Sequence, residues 1–275
     1  MRAAVVQLNS GGEKPLNVEA AERQVRAAAA DGAELVALPE KWSLLAAGED
    51  LLAGAEPLDG PTLTAARGWA SELGIHLLAG SVSEAAGARA FNTSVLIGPG
   101  GEDLAVYRKI HMFDVDVGGV EYRESANERA GEEIVDAELD GVGVGLTVCY
   151  DLRFPELFRI LAVRGARLFT VPSAFTRVTG RDHWEVLLRA RAIENQAFVL
   201  APNQVGVAAP SYDSFGHSSI VDPWGSILAC REAGEGFVAA DLDLGRQDEV
   251  RDALPSLANR RPGAYIWPQL AEARA

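Results

Sequence analysis

An α/β fold is predicted by three features of the sequence. A helix, a glycine and a short apolar strand recur in that order, prolines stand where helices begin, and the strands are apolar throughout. Strands without a polar face need cover on both sides, which helices in an α/β fold supply. The first strand is read in MRAAVVQLN. A helix from near Pro15 places Val18, Ala21, Val25 and Ala28 on one face and stops at Asp31-Gly32, before the strand Leu35–Leu38. The next helix follows Asp59-Gly60-Pro61, carries Leu63, Ala66, Ala70 and Leu73, and stops at Gly74 before Ile75–Ala79. Proline pre-sets the helical φ at a start, and glycine accepts the positive φ of a stop.

A β-rich stretch runs from Phe91 to Tyr107 with its turn at Gly98-Pro99-Gly100-Gly101, and the strand Val142–Val148 is spaced by glycines. A third helix has Pro155 at its first position and Gly165 past its end, before Leu168–Val171. A fourth is expected over Asp182–Gln196, with Asp182 as N-cap and Glu185 completing a capping box. It feeds the strand Phe198–Ala201. Short strands fill Ser218–Asp243, with a turn at Asp222-Pro223-Trp224-Gly225. No polar linker divides the chain, so one domain over residues 1–275 is expected. Trp69, Trp184, Trp224 and Trp267 read as packing residues.

The formal net charge of −14 repels phosphate backbones and anionic lipid, which speaks against nucleic-acid or membrane partners. Two cysteines are too few for a disulfide framework and point to a reducing compartment. The N-terminal apolar run is too short for a signal-peptide core, and no run approaches the ~20 residues of a membrane helix. A cytoplasmic protein is the expectation.

Three reactive side chains lie just past the ends of predicted strands: Glu40, Lys109 and Cys149. In open α/β sheets that edge is where ligands bind. A thiol before a helix start and near a lysine is expected to have a depressed pKa and act as a nucleophile. The competing reading of Cys149 is a small buried hydrophobe. A thiolate attacking an amide needs a base and an oxyanion donor. Glu40, after an apolar strand, suits the base, its dry setting raising a carboxylate's pKa. Lys109 suits the oxyanion, with the backbone N–H of Tyr150. Either charge alone reads better as half of an ion pair at the sheet edge. Cys230, on an alternating strand, reads as structural. His76, His111, His183 and His217 lack metal-ligand spacing, so no metal is expected. Gly141–Gly145 precedes a strand rather than joining strand to helix, and no Gly-x-Ser-x-Gly occurs.

The segments LPEKW around Glu40, YRKIHMFD around Lys109 and TVCYDLRFPEL around Cys149 resemble the three signature segments of the nitrilase superfamily, in that family's order. FNTS at 91–94, HWEVLLRARAIENQ at 183–196, GHSSIVDPWG at 216–225 and NRRP at 259–262 extend the likeness over nearly the whole chain. The resemblance implies a four-layer αββα sandwich, a homodimer or higher assembly, and a hydrolase without cofactor. It makes Glu40 the base, Lys109 the oxyanion stabiliser and Cys149 the nucleophile, with Glu124 of EYRES as a second glutamate.

Tyr150 and Asp151 resemble the amidase branches, and HMFDVD, RFPEL and RARAIENQ resemble the Nit subfamily of deaminated glutathione amidases and ω-amidases. That likeness implies a small amide substrate carrying a carboxylate, with Tyr150, Arg153, Phe175, Thr176 and His183 around it. Hydrolysis of N-carbamoyl amino acids or aliphatic amides is the alternative, and a non-catalytic binding protein a further one. Arg153, Arg177 and Arg181 are the candidate carboxylate partners. Two departures bear on the substrate. Val207–Phe215 looks long enough to reshape the pocket mouth, and Asp182 adds a negative charge where a small residue is expected.

Overall fold

The computed structural model describes residues 1–208 and 212–265, and within them two mixed sheets lie between pairs of helices. The first sheet orders its strands Gly236–Asp241, Arg2–Gln7, Leu35–Ala37, His76–Leu78, Arg89–Ile97, Val82–Ala86. Asp103–Arg108 and the two-residue strand Glu128–Arg129 also pair with Arg89–Ile97. The second sheet runs Asp136–Leu139, Val142–Leu146, Leu168–Thr170, Phe198–Ala201, Ser218–Val221, Ile227–Arg231. Three central strands of each sheet are parallel.

The period of two along the strands explains the layers. Ala3, Val5, Leu35 and Ala37 point into a core shared with Val144, Leu146 and Phe169 of the second sheet. Their neighbours Ala4, Val6, Val36 and Leu38 turn the other way. They pack on Ala21, Val25 and Ala28 of α1 (Lys14–Ala30), and on residues after the short helix α2 (Gly48–Ala53), namely Leu63 and Ala66 of α3 (Pro61–Leu73). On the far side α4 (Pro155–Val163) and α5 (Arg177–Asn195) cover the second sheet through Leu157, Phe158, Trp184 and Leu188. A four-layer αββα sandwich results. A last helix, α6 (Leu244–Ala253), follows Asp243, whose carboxylate accepts from the Arg246 N–H as an N-cap. The glycine spacing of Val142–Leu146 has a steric cause: a Cβ at Gly145 would sit 2.9 Å from Leu161 and 3.0 Å from Phe169. Helix α4 can lie close only over a bare backbone.

The proline starts of α1, α3 and α4 are where the sequence puts them. Helix α5 departs from expectation. It begins at Arg177 after Thr176, so Asp182 is an exposed residue inside the helix, paired with Arg181 at 3.0 Å, and no capping box exists there. Gly180 disguises the start, because glycine lowers helix propensity by about 1 kcal/mol. It is accommodated because a Cβ there would meet the Phe215 ring at 2.5 Å. Val207–Phe215 belongs to a hairpin of Val205–Ala208 with Tyr212–Phe215, and the part of it at 209–211 lies outside the described residues. Trp69 and Trp184 are buried, but Trp224 is 59% exposed on its turn, outside the core expected for it from the sequence. Trp267 lies outside the described residues. Cys230, read as structural, is free and exposed. Among the described residues no helix is long and apolar enough to cross a membrane.

Candidate active site

Glu40, Lys109 and Cys149 line one pocket, which opens between the two sheets with an empty volume of about 990 Å³. Glu40 and Lys109 arrive from the first sheet, at the ends of Leu35–Ala37 and Asp103–Arg108. Cys149 arrives from the second, one turn beyond Val142–Leu146, at φ +49°. That left-handed backbone is disfavoured for a residue with a side chain, and strain of this kind gathers where a side chain must be aimed. Its N–H donates to the Pro172 carbonyl at 2.9 Å, which fixes the turn. All three side chains are nearly closed off, with exposures of 3% for Glu40, 1% for Lys109 and 8% for Cys149.

Glu40 is held from both sheets. Its Oε2 accepts from the Ala174 N–H at 2.8 Å, and its Oε1 from the Asn92 amide at 2.8 Å and the Lys109 ammonium at 3.3 Å. The Gln204 side chain donates to its backbone carbonyl at 2.9 Å. Glu124 takes the Lys109 ammonium with both oxygens, at 2.8 and 2.7 Å, and also accepts from the Phe113 N–H at 2.7 Å. Burial pushes the Glu124 carboxyl up, but Lys109 and Lys41 overcome it and hold it at about 2. Lys109 loses by burial and gains more from Glu124 and Glu40, so its ammonium is held well above its usual range.

The thiol departs from the sequence expectation. Burial raises the Cys149 pKa well above the ordinary value, and the hydrogen-bonded Glu40 carboxylate adds to the rise. Nearness to a helix start was the expected depressing influence, but a 3₁₀ turn over Cys149–Arg153 intervenes and the carboxylate is the closer neighbour. The resting sulfur is a thiol touching a base, a pair able to pass a proton when an electrophile arrives.

Asp151, fully buried, joins the two arms of the site. It accepts from the Tyr107 hydroxyl at 2.6 Å, the Val148 N–H at 2.8 Å and the His111 N–H at 3.3 Å, and lies 2.7 Å from His111 Nδ1. His111 is stacked on Phe154 with centroids 3.5 Å apart. The segment bearing Lys109 and the turn bearing Cys149 are thereby tied to one carboxylate.

Of the other expected residues, Tyr150, Phe175 and Thr176 line the pocket. Arg153 and His183 do not: they face each other at 3.2 Å, with the guanidinium over Phe175 and Tyr150. Arg177 pairs with Asp213 and Arg181 with Asp182, so neither stands in the pocket, and Asp182 is no part of it. The mouth is formed by residues 45–48 with Leu51 and by the hairpin of Asp114–Val117 with Val120–Arg123, where Arg123 lines the wall. The described residues of the Val207–Phe215 segment are not in the lining, although Ser214 bridges to Thr176.

Sequence reasoning missed Asn92, Lys41 and Glu128. Glu128 is 1% exposed, sits 2.7 Å from the Lys41 ammonium, and is raised to about 7 by burial and by Glu124, against the pull of Lys41. A carboxyl raised on folding favours the folded state below its ordinary value of 4.5, and that contribution is lost as pH climbs through about 7. Glu128→Gln should therefore gain stability relative to the parent as pH goes from about 5 to about 8, read from urea unfolding. A pH-independent difference would contradict titration of this buried carboxyl. Among the described residues no cluster suited to a metal ion is present.

The carbon-nitrogen hydrolase family model matches residues 2–252. The chain is 42% identical over 267 residues to deaminated glutathione amidase of Synechocystis sp. PCC 6803, covering 94% of this chain and 97% of that one. It is 37% identical over 265 residues to human ω-amidase NIT2, covering 96% of each. The crystal structure of the C. elegans NitFhit protein superposes with a TM-score of 0.91 at 35% identity, over 96% of this chain and 66% of that longer one. Saccharomyces cerevisiae Nit3, a member of the nitrilase superfamily, superposes with a TM-score of 0.84 at 30% identity, over 93% and 94%. With its signature segments gathered in one pocket and its likeness running almost end to end, this chain belongs to the carbon–nitrogen hydrolase family of the nitrilase superfamily.

Proposed function

We propose that this protein is a cysteine-dependent amidase acting on a small, carboxylate-bearing amide, of the deaminated-glutathione type or an ω-amide of an α-keto acid. The observation that carries the reading is the meeting of a thiol, a carboxylate and an ammonium, each buried, in one pocket. Relatives named as amidases support the substrate class.

In this mechanism the Cys149 sulfur attacks the amide carbonyl carbon while its proton passes to Glu40. The oxyanion is met by the Lys109 ammonium and by the Tyr150 N–H, which lies in the first turn of a 3₁₀ helix where N–H groups lack intrahelical partners. Glu40 returns the proton to the nitrogen, ammonia or an amine departs, and a thioester remains. Water, deprotonated by Glu40, attacks the thioester carbonyl, and the acid leaves as the thiol re-forms. Glu124 keeps Lys109 in place. The substrate carboxylate meets Arg123, the arginine in the pocket lining, which is also paired with Glu121 at 2.7 Å, in place of the arginines expected from the sequence. Tyr150, Phe175 and Thr176 flank the chain between the two ends. No cofactor enters this scheme.

The same reading holds that the protein works in the cytoplasm as an assembly of at least two copies. Exposed Ile160, Val163, Val186 and Ile193 on α4 and α5 supply an apolar face for a second copy.

A panel of amides tests the proposal, with released ammonia, amine and carbon dioxide measured. Turnover is expected on α-keto ω-amides or deaminated glutathione. Ammonia together with carbon dioxide from N-carbamoyl amino acids would move the assignment to that alternative. No turnover on any amide would refute it.

A further inference from the structure

The pocket holds a second buried ammonium that the scheme above does not use. Lys41 follows Glu40 directly, is 6% exposed, and has a φ of +52°. A long side chain in left-handed backbone is disfavoured, so its burial here is over-determined by its surroundings. Its Nζ lies 2.7 Å from Glu128 and 3.8 Å from Glu124, and the Lys41 N–H donates to the Ser81 hydroxyl at 3.1 Å. Two ammonium groups thus face three carboxylates: Glu40, Glu124 and Glu128.

Their sharing decides what Glu40 can do. Lys109 is bound twice by Glu124 and more distantly, at 3.3 Å, by Glu40. Were Glu124 to take up a proton, Lys109 would lose that anchor and close on Glu40. A carboxylate occupied by an ammonium is a poorer base. The groups that face Glu124 are Lys109, Lys41, the Asn92 amide at 3.3 Å and the Phe113 N–H, and those that face Glu128 are Lys41, Glu124 and Lys109. Lys41 therefore reaches both outer carboxylates, Glu128 at 2.7 Å and Glu124 at 3.8 Å.

We propose that Lys41 is a positioning residue: anchored by Glu128, its ammonium keeps Glu124 committed to Lys109, so that Glu40 stays free to accept the thiol proton. The inference rests on the amidase reading for its kinetic consequence, while its electrostatic part stands on the geometry alone.

Lys41→Met, Lys41→Arg and the double change Lys41→Met with Glu128→Leu test it. Lys41→Met should lower kcat about tenfold with KM changed little, and should move the acid limb of kcat/KM to higher pH, because Glu124 then protonates more readily. Lys41→Arg should restore the acid limb. The double change removes both partners of a buried pair and should fold well, yet keep the low kcat and the shifted limb. Recovery of parental kinetics by the double change would overturn the proposal, since Lys41 would then serve only to neutralise Glu128. An unchanged acid limb in Lys41→Met would overturn it as well, and so would a rise in KM alone.

Unfolding against pH separates this proposal from the amidase reading. Without Lys41 both carboxyls have higher folded pKa values, so the destabilisation by Lys41→Met should be greatest above about pH 7 and shrink as pH falls through about 4.5. If the parent hydrolyses no amide, the amidase reading falls while this measurement still judges the clamp. A pH-independent destabilisation would overturn it.

Discussion

Cys149→Ala is expected to abolish amide hydrolysis while leaving the protein folded. The loss should be on the order of 10⁶ in kcat, the scale on which removal of a hydrolase nucleophile acts. Among the described residues no second thiol lines the pocket, since Cys230 is exposed on an outer strand. The fold should survive because the change removes a single atom's volume from a residue at the pocket wall rather than from the middle of a core. The 149–153 turn is held by the Pro172 carbonyl and by Asp151, neither of which the substitution touches. Ammonia or amine release measures the first expectation and circular dichroism the second. In the parent, intact-mass analysis of a slow substrate should find an acyl group on Cys149. A turning-over Cys149→Ala enzyme would end the covalent scheme.

Lys109→Met should be damaging twice over. Catalytically, on the proposed mechanism it takes away an oxyanion donor, and such losses cost on the order of 10²–10³ in kcat. Structurally, it leaves Glu40 and Glu124 facing each other without the charge between them. Breaking a buried pair by removing one partner costs roughly 3–5 kcal/mol. Glu124 then answers by taking up a proton. Its depressed pKa of about 2 gives the parent stability that is present above the ordinary 4.5 and lost as pH falls toward 2. The variant lacks most of that stabilisation, so its deficit should be large at neutral pH and narrow in acid. Steady-state kinetics and urea unfolding at several pH values read both effects. A rate within a few-fold of the parent would remove Lys109 from the oxyanion role.

What was legible in the sequence was decided locally. Glu40, Lys109 and Cys149 stand directly after strands whose apolar character marks them, and proline and glycine punctuate the helices that cover those strands. The hairpin Asp114–Arg123 was not read, although Val115, Val117, Val120 and Tyr122 alternate around Gly118-Gly119 and could have shown it. Asn92 left a signal too: three polar residues, Asn92, Thr93 and Ser94, interrupt an otherwise apolar strand and are fully buried. Glu128 left none. Its burial follows from a two-residue strand pairing with Arg89–Ile97, a contact between segments more than thirty residues apart. The pKa of Cys149 was misread for the same reason: its burial, and after that the Glu40 carboxylate beside it, come from contacts adjacent in space and not in sequence. Helix α5 was misread because Gly180 is paired with Phe215, which only the fold brings near.

The groups of the proposed mechanism are inherited from opposite sides of a seam. Carboxylate and ammonium belong to the half of the chain that builds one sheet, sulfur and the Ala174 N–H to the half that builds the other. Neither half-sandwich contains a diluted version of the enzyme; each contains none of it. Sequence change that alters how the sheets seat on one another is therefore felt first as chemistry, long before either sheet comes apart.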